Sequence, residues 1–137
     1  MPLIKTFVVL GLLVLLYGCV DDTTSAPSLN FNYAKTPIVL TEHVQGDWET
    51  VCILGPYSNN ELAAEVIGFT WPLETLSSVR VNDGVSLLIF IKNKAVQSYF
   101  EVSRGKYDFN SLDEQCINRN EAIFTQANGQ VVVSAQV

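Results

Sequence analysis

The stretch Val85-Ser86-Leu87-Leu88-Ile89-Phe90-Ile91 decides the fold, because it is apolar at all but one position. A run of this length, rich in branched and aromatic side chains, predicts a strand covered on both faces. Asn82-Asp83-Gly84 before it is typical of a tight hairpin turn and predicts a strand at Val79–Val81. Lys92-Asn93-Lys94 predicts the turn that follows. A buried strand between tight turns indicates an antiparallel sheet.

Further strands are predicted on both sides of this central strand. The first alternates so that Trp48, Thr50, Cys52 and Leu54 share a face, and Gly55-Pro56 ends it. After the central strand, Val96, Phe100 and Val102 share a face with Ser98. The remaining strands flank the turn Asn128-Gly129, and they cover Ala122–Thr125 and Val131–Val133.

The best helix signal lies between the first strand and the central one. Ser58 and Glu61 form a capping box that opens Leu62–Ile67, with Gly68 as the stop. Ser111 with Glu114 is a second capping box and predicts a short helix from Ser111 to Cys116. We therefore predict an α+β fold, an antiparallel sheet of about five strands with one helix packed on a face. An all-β barrel with a single helical plug is the second choice.

The first nineteen residues form a separate segment. Lys5 is followed by an apolar run from Phe7 to Leu16, and then by Tyr17-Gly18-Cys19. The uncharged stretch ends at Asp21, short of the roughly 20 residues that cross a bilayer, and it has the layout of a processed export signal. Leu16, Gly18 and Cys19 resemble the lipobox of bacterial lipoprotein precursors, whereas Tyr17 departs from the small residue usual at that position.

The resemblance implies that Cys19 receives lipid and begins the mature chain. We therefore expect a signal peptide at residues 1–18, the lipidated cysteine and a flexible tether at 19–37, and a small globular domain at 38–137. The alternatives are an uncleaved anchor and an ordinary signal that happens to contain a cysteine. An uncleaved anchor leaves the domain outside the cytoplasm as well. Val20, rather than an aspartate, follows Cys19, and the resemblance then favours the outer membrane, facing the periplasm. The end of the tether, at Phe31 and Tyr33, is expected to dock as an edge strand.

Charge limits the partners of this domain. The whole chain carries 14 acidic and 8 basic side chains, a formal net charge of −6. Nucleic acid needs a cationic face, so it is not an expected partner. The expected contacts are the membrane, through the lipid, and another protein of the envelope.

The cysteines fit an exported protein. Once Cys19 is assigned to lipid, Cys52 and Cys116 remain as an even pair, and we expect them to form a disulfide. On the chain-entropy model such a bond stabilises the fold by roughly 4 kcal/mol. Two thiols with one histidine fall short of a closed zinc site, and no metal or cofactor is expected.

Residues able to do acid or base chemistry are few. His43 is the only histidine, and Asp47 or Glu42 would orient it as a general base. The carboxylate pairs nearest in sequence are Asp47 with Glu49 and Asp113 with Glu114. The corner Gly55-Pro56-Tyr57-Ser58 lacks the second glycine and the lysine of a phosphate loop. Ordinary surface positions are the favoured explanation for the histidine and the carboxylates, and no catalytic residue is assigned.

Recognition is the favoured hypothesis. Aromatic side chains near turns are typical binding anchors, although a small domain also needs them for its core. The candidates for binding are Tyr57, Trp71, Tyr99 and Tyr107, with Phe109 as a further possibility. We expect a non-enzymatic lipoprotein that binds a protein or assembles into an envelope complex. The alternatives are an inhibitor or immunity protein against a basic envelope hydrolase, and a small envelope hydrolase.

Overall fold

A computed structural model describes residues 24–31 and 36–134. The signal peptide and Cys19 lie outside these residues. Within them the chain forms seven strands, two α-helices and three short 3-10 helices. The strands are β1 (Ile38–Val39), β2 (Thr50–Leu54), β3 (Val85–Lys92), β4 (Ala95–Ser103), β5 (Cys116–Asn118), β6 (Ile123–Ala127) and β7 (Gln130–Val133). The α-helices are α1 (Asn60–Ile67) and α2 (Leu73–Leu76), and the 3-10 helices cover Leu40–Glu42, Phe109–Leu112 and Arg119–Glu121.

The predicted central strand is confirmed. β3 lies inside a four-stranded antiparallel sheet of order β4-β3-β2-β5. Its side chains alternate between two apolar clusters: Leu88 and Phe90 enter one, and Leu87 and Ile89 the other. The sheet is therefore covered on both faces, as the composition of this stretch predicts.

The second sheet covers one of these faces. It has three antiparallel strands in the order β1-β6-β7, and the predicted turn Asn128-Gly129 joins the last two. Both turn residues have positive φ, 52° and 78°, which suits the twist of a two-residue hairpin. The cluster between the sheets is rich in aromatic rings. Trp48, Phe90, Phe109 and Phe124 are fully buried there.

The helices cover the other face. α1 begins one residue later than the capping box predicts, since Asn59 rather than Ser58 is the N-cap and its side chain accepts from Leu62 N at 2.9 Å. Ser58 instead donates to the carbonyl of Gly55. Gly68 ends the helix with a φ of 86°, as predicted. The predicted α+β class is confirmed, although the strands divide into two sheets.

The segment before β3 is not the strand that its sequence predicts. Residues 79–81 form a turn, closed by Val81 N and Asn82 N on the carbonyl of Ser78. Val79 is buried under the helices while Val81 is exposed. The chain leaves α2, makes this turn and then enters β3 after Asn82-Asp83-Gly84. No strand precedes β3 here, so the expected hairpin is not formed.

The predicted face of Val96 is wrong, because a bulge in β4 places this side chain on the opposite face of the sheet. The register passes from Phe90 opposite Ser98 to Ile91 opposite Val96, so that Gln97 is an extra residue. One extra residue reverses the alternation of side chains. Val96 consequently packs on the helix-covered face, whereas Phe100 and Val102 pack in the aromatic cluster.

The predicted helix from Ser111 to Cys116 is also corrected. A 3-10 helix occupies Phe109–Leu112, and its cap is Asp108, whose side chain accepts from Asn110 N. Ser111 donates to the carbonyl of Val131 instead of capping a helix. Beyond this turn the chain enters β5 directly. Glu114 N donates to Ile53 O, and Ile53 N donates to Gln115 O, so pairing with β2 begins at once.

Part of the expected tether belongs to the packed domain. Ala26 and Phe31 are buried, and Ser28 pairs in parallel with Glu101 on β4, the edge strand. The backbone bonds are Glu101 N to Pro27 O at 2.8 Å and Leu29 N to Glu101 O at 2.9 Å. Residues 24–31 thus lie against the sheet edge, whereas Tyr33 lies outside the described residues. No helix among the described residues combines the length and apolar character needed to cross a bilayer.

Candidate functional site

A concavity lies where the chain passes from one sheet to the other. It is an open cleft of about 730 Å³. One wall is the loop Gly46–Glu49, and the opposite wall is Asn118–Asn120, between β5 and β6. Val39 and Ile123, neighbours across β1 and β6, supply apolar surface. Thr41 completes the lining.

Arg119 joins the two walls. Its Nη1 donates to the carbonyls of Gly46 and Trp48, each at 3.0 Å. The guanidinium carbon lies 4.6 Å from the centre of the Trp48 ring, a cation–π distance. Trp48 itself is fully buried, with its ring 4.9 Å from that of Phe90 and its Nε1 donating to Val44 O. The cation is therefore held in one position between the two walls of the cleft.

Asp47 is held at the rim. Lys92 forms an ion pair with its carboxylate, and Gln97 Nε2 donates to Oδ1 at 2.9 Å. The hydrogen bond from Lys92 is the main cause that lowers the pKa of Asp47 to about 2, helped by the bond from Gln97. The carboxylate is consequently anionic at neutral and mildly acidic pH. The bulge at Gln97 is what brings this amide to the cleft.

The predicted carboxylate pairs have different places. Asp47 and Glu49 both line the cleft. Asp113 lies elsewhere and accepts a hydrogen bond from Gly55 N at 2.6 Å. A β-carbon at position 55 would approach Asp113 Cγ to 2.9 Å, so a larger residue there would have to displace this carboxylate. The Gly55-Pro56 corner thus binds the protein's own aspartate.

His43 is half-buried at the border of the aromatic cluster. Its ring makes an edge contact with Phe31 at 5.1 Å between centres. Within the described part of the chain, no ion pair or hydrogen bond connects this ring to Glu42 or Asp47, the carboxylates expected to orient it. No group of three metal-ligating side chains is found among these residues either.

The four candidate binding aromatics do not form one surface. Tyr57 is 67% exposed and has a positive φ of 68°, which is uncommon for a large side chain. Trp71 and Tyr99 pack edge to face, 5.1 Å apart, on the helix-covered side. Tyr107 is buried, and its hydroxyl donates to Phe31 O at 3.2 Å. Phe109 is fully buried as well, so these last two belong to the core.

Cys52 and Cys116 lie at disulfide distance, with 2.02 Å between the sulfur atoms. They are direct partners on β2 and β5. Cys52 is buried under the helices and Cys116 is exposed at the sheet edge. The bond ties β5, and with it the Asn118–Asn120 wall of the cleft, to the middle of the sheet.

Arg119 and Glu101 carry structural roles that sequence patterns do not single out. Arg119 follows a three-residue strand that lacks clear periodicity, and its partners are distant carbonyls. Glu101 is a charged residue within an otherwise apolar alternation, Phe100-Glu101-Val102, and it is only 6% exposed. The alternation that puts Phe100 and Val102 on one face puts Glu101 on the other, so the sequence alone does not mark its burial.

Comparison of the chain with protein-family models, with curated proteins and with solved structures gives no match.

Proposed function

We propose that this chain is a lipoprotein of the bacterial cell envelope, anchored through lipid on Cys19, whose domain binds another envelope protein without catalysing a reaction. The lipobox-like sequence supports the anchor, and Val20 after Cys19 favours the outer membrane with the domain in the periplasm. The binding site in this proposal is the cleft between Gly46–Glu49 and Asn118–Asn120.

The observation that carries the proposal is the fixed arrangement of charge around an apolar floor. Arg119 is bonded to two carbonyls and Asp47 to two side chains, so both charges are positioned before any ligand arrives. Val39 and Ile123 offer apolar surface between them. A site whose groups are already ordered loses less entropy on binding. An apolar side chain flanked by polar groups of a partner fits this arrangement.

The anchor is tested by the non-reduced intact mass of protein recovered from the membrane fraction. We expect the mass of residues 19–137 plus lipid and minus two hydrogens, which accounts for acylated Cys19 and the Cys52–Cys116 bond together. A full-length, unlipidated mass with three free thiols would contradict both the anchor and the assigned compartment.

The cleft is tested by charge reversal with a matched control. Glu49 lines the cleft and Glu121 lies just outside it, and both are exposed. We expect crosslinking in intact cells, followed by mass spectrometry, to join the wild type and Glu121→Arg to one defined envelope protein. Glu49→Arg is expected to weaken binding of that purified protein at least about tenfold, since it places a cation beside Arg119. Equal binding by both variants would exclude the cleft.

A second candidate is an inhibitor or immunity protein against a basic hydrolase. Asp47 and Glu49 lie together at the cleft, and the low pKa of Asp47 keeps one negative charge there under all relevant conditions. An electrostatic complex of this kind weakens steeply with added salt. Binding that does not change between low and high salt would remove this candidate and leave the first.

A further inference from the structure

The N-terminal segment pairs with the backbone of Glu101 on β4, and it also reaches the buried carboxylate of that residue. Its Oε2 accepts from Ala26 N at 2.8 Å, from Ser78 N at 2.9 Å and from Ser77 Oγ at 2.9 Å. Its Oε1 accepts from Ser78 Oγ at 2.8 Å. Ala26 and Ser78 share one oxygen, so the segment is docked directly beside the loop that leads into the turn at 79–81.

Docking shortens the connection between lipid and domain. Ala26 is the seventh residue after Cys19, and a fully extended chain over these seven steps spans at most roughly 25 Å. A tether that stayed free up to residue 37 would span up to roughly 65 Å. With Ala26 fastened, the surface around Ser78 is held near the bilayer that carries the lipid of Cys19.

Exposed apolar side chains are concentrated beside the same point. Among the described residues the large exposed ones are Tyr57, Val81 and Val133. Val81 N bonds to Ser78 O at 3.0 Å, and Tyr57 N bonds to Val79 O at 2.8 Å, so both lie within a turn of the docking point. Val133 lies on β7, in the sheet on the other side of the domain.

We infer that Tyr57 and Val81 form a membrane-contacting surface, which rests on the phospholipid bilayer when the lipid of Cys19 is inserted. Tyrosine prefers the interface, where its ring is shielded and its hydroxyl stays hydrated. The Tyr57 side chain is 67% exposed, and Val81 adds apolar area at 63% exposure. This inference rests on the proposed lipid anchor.

The test uses the lipidated full-length product in vesicles of phosphatidylethanolamine and phosphatidylglycerol with brominated acyl chains. Val81→Trp and Val133→Trp are matched reporters, because both replace an exposed valine. The quenching of buried Trp48 and Trp71 in the wild type is subtracted. We expect quenching of Val81→Trp to exceed that of Val133→Trp by about twofold or more, since bromine reaches only side chains at the acyl boundary.

Each other outcome contradicts a defined part of the proposal. Wild-type protein that fails to float with the vesicles overturns the lipid anchor and the surface together. Flotation with equal quenching, or with stronger quenching of Val133→Trp, overturns the surface and leaves the anchor intact. If Val81→Trp loses the wild-type circular dichroism spectrum, Tyr57→Trp is the reporter in its place.

The role of docking is tested in the same vesicles. Ala26→Pro removes the N–H that donates to Glu101 and leaves the domain's side chains unchanged. Combined with Val81→Trp, this substitution is expected to lower the quenching toward the level of Val133→Trp while flotation persists. Unchanged quenching would show that the bond from Ala26 N to the Glu101 carboxylate does not orient the domain, since the backbone bonds of Pro27 and Leu29 to Glu101 remain in this variant.

Discussion

The two faces of the four-stranded sheet are closed by different interactions. On one face, β1, β6 and β7 enclose rings packed edge to face, such as Trp48 on Phe90 and Phe109 on Phe124 at 5.4 Å. On the other face, the short helix α1 contributes only one fully buried side chain, Ala63. There the chain relies on directional bonds instead, around Glu101 and between Cys52 and Cys116. The face on which α1 buries little apolar surface is thus the face held by the hydrogen bonds of Glu101 and by the Cys52–Cys116 pair.

The largest expected loss of stability comes from a substitution on the aromatic face, and it tests which of the two faces holds the main core. Phe90→Ala should lower the free energy of unfolding by about 4 kcal/mol, because it empties a site enclosed on all sides. Ile89→Ala, one residue along on the helix-covered face, should cost about 3 kcal/mol. Urea unfolding of both variants measures the difference. A larger loss from Ile89→Ala would place the main core on the helix side.

Removal of the disulfide should cause the next largest loss of stability. Cys52→Ser with Cys116→Ser should lower the free energy of unfolding by about 3 kcal/mol, since measured disulfide contributions usually fall below the chain-entropy value. Cys52→Ser alone should cost a similar amount in urea unfolding without reductant. A double variant that is much milder than the single one would indicate harm from an unpaired thiol instead of loss of the crosslink.

Glu101→Gln should have an intermediate effect, about 2 kcal/mol, because the amide nitrogen faces N–H and O–H donors that then lose their acceptor. Hydrogen exchange should also show faster opening at Ala26 and Ser78. Glu121→Gln, at an exposed glutamate, is the control and should stay within about 0.5 kcal/mol of the wild type. Equal stability of the two variants would mean that apolar packing alone holds the helix-covered face.

The smallest effect belongs to Asp47, at the rim of the aromatic face. Its pKa is lower in the folded protein, about 2, than the ordinary 3.8. Its contribution to stability is therefore complete above pH 3.8 and is lost as the pH falls toward 2. Asp47→Asn should flatten the acid side of the stability profile over this range, measured by thermal unfolding. Asp83→Asn, at another exposed aspartate, should keep the wild-type slope; an unchanged slope in Asp47→Asn would contradict the assigned pKa.

The sequence predicts elements whose signals are local. The apolar run of β3, the stop at Gly68 and the turn at Asn128-Gly129 each depend on their own residues, and each is found in the structure. The turn at 79–81 escapes prediction because Val79 and Val81 have strand-like composition, whereas Val79 O accepts from Tyr57 N, more than twenty residues away, and Val81 N closes a turn on Ser78 O. Tertiary contacts override propensity at such positions.

The cleft depends on features with no local signal. The face of Val96 reverses through a one-residue bulge, and the same bulge brings Gln97 to Asp47. Arg119 is positioned by carbonyls more than seventy residues away in sequence. The division of the strands into two sheets likewise follows from which edges remain uncovered. Only Asp47 and Glu49, which are neighbouring carboxylates in the sequence, indicate part of this site without the structure.

Both sheets contribute walls to the cleft, so the cleft is present only in the folded protein. A ligand of the cleft would therefore bind the native state alone and stabilise it against unfolding. A ligand that binds the native state alone stabilises it by about 2.7 kcal/mol at a hundredfold excess over its Kd. For a domain of this size, each kcal/mol raises the melting temperature by roughly 4–8 °C. Thermal melting curves of the wild type and Glu49→Arg, recorded with fractionated envelope proteins, would therefore reveal which fraction holds the partner even while that partner is still unidentified.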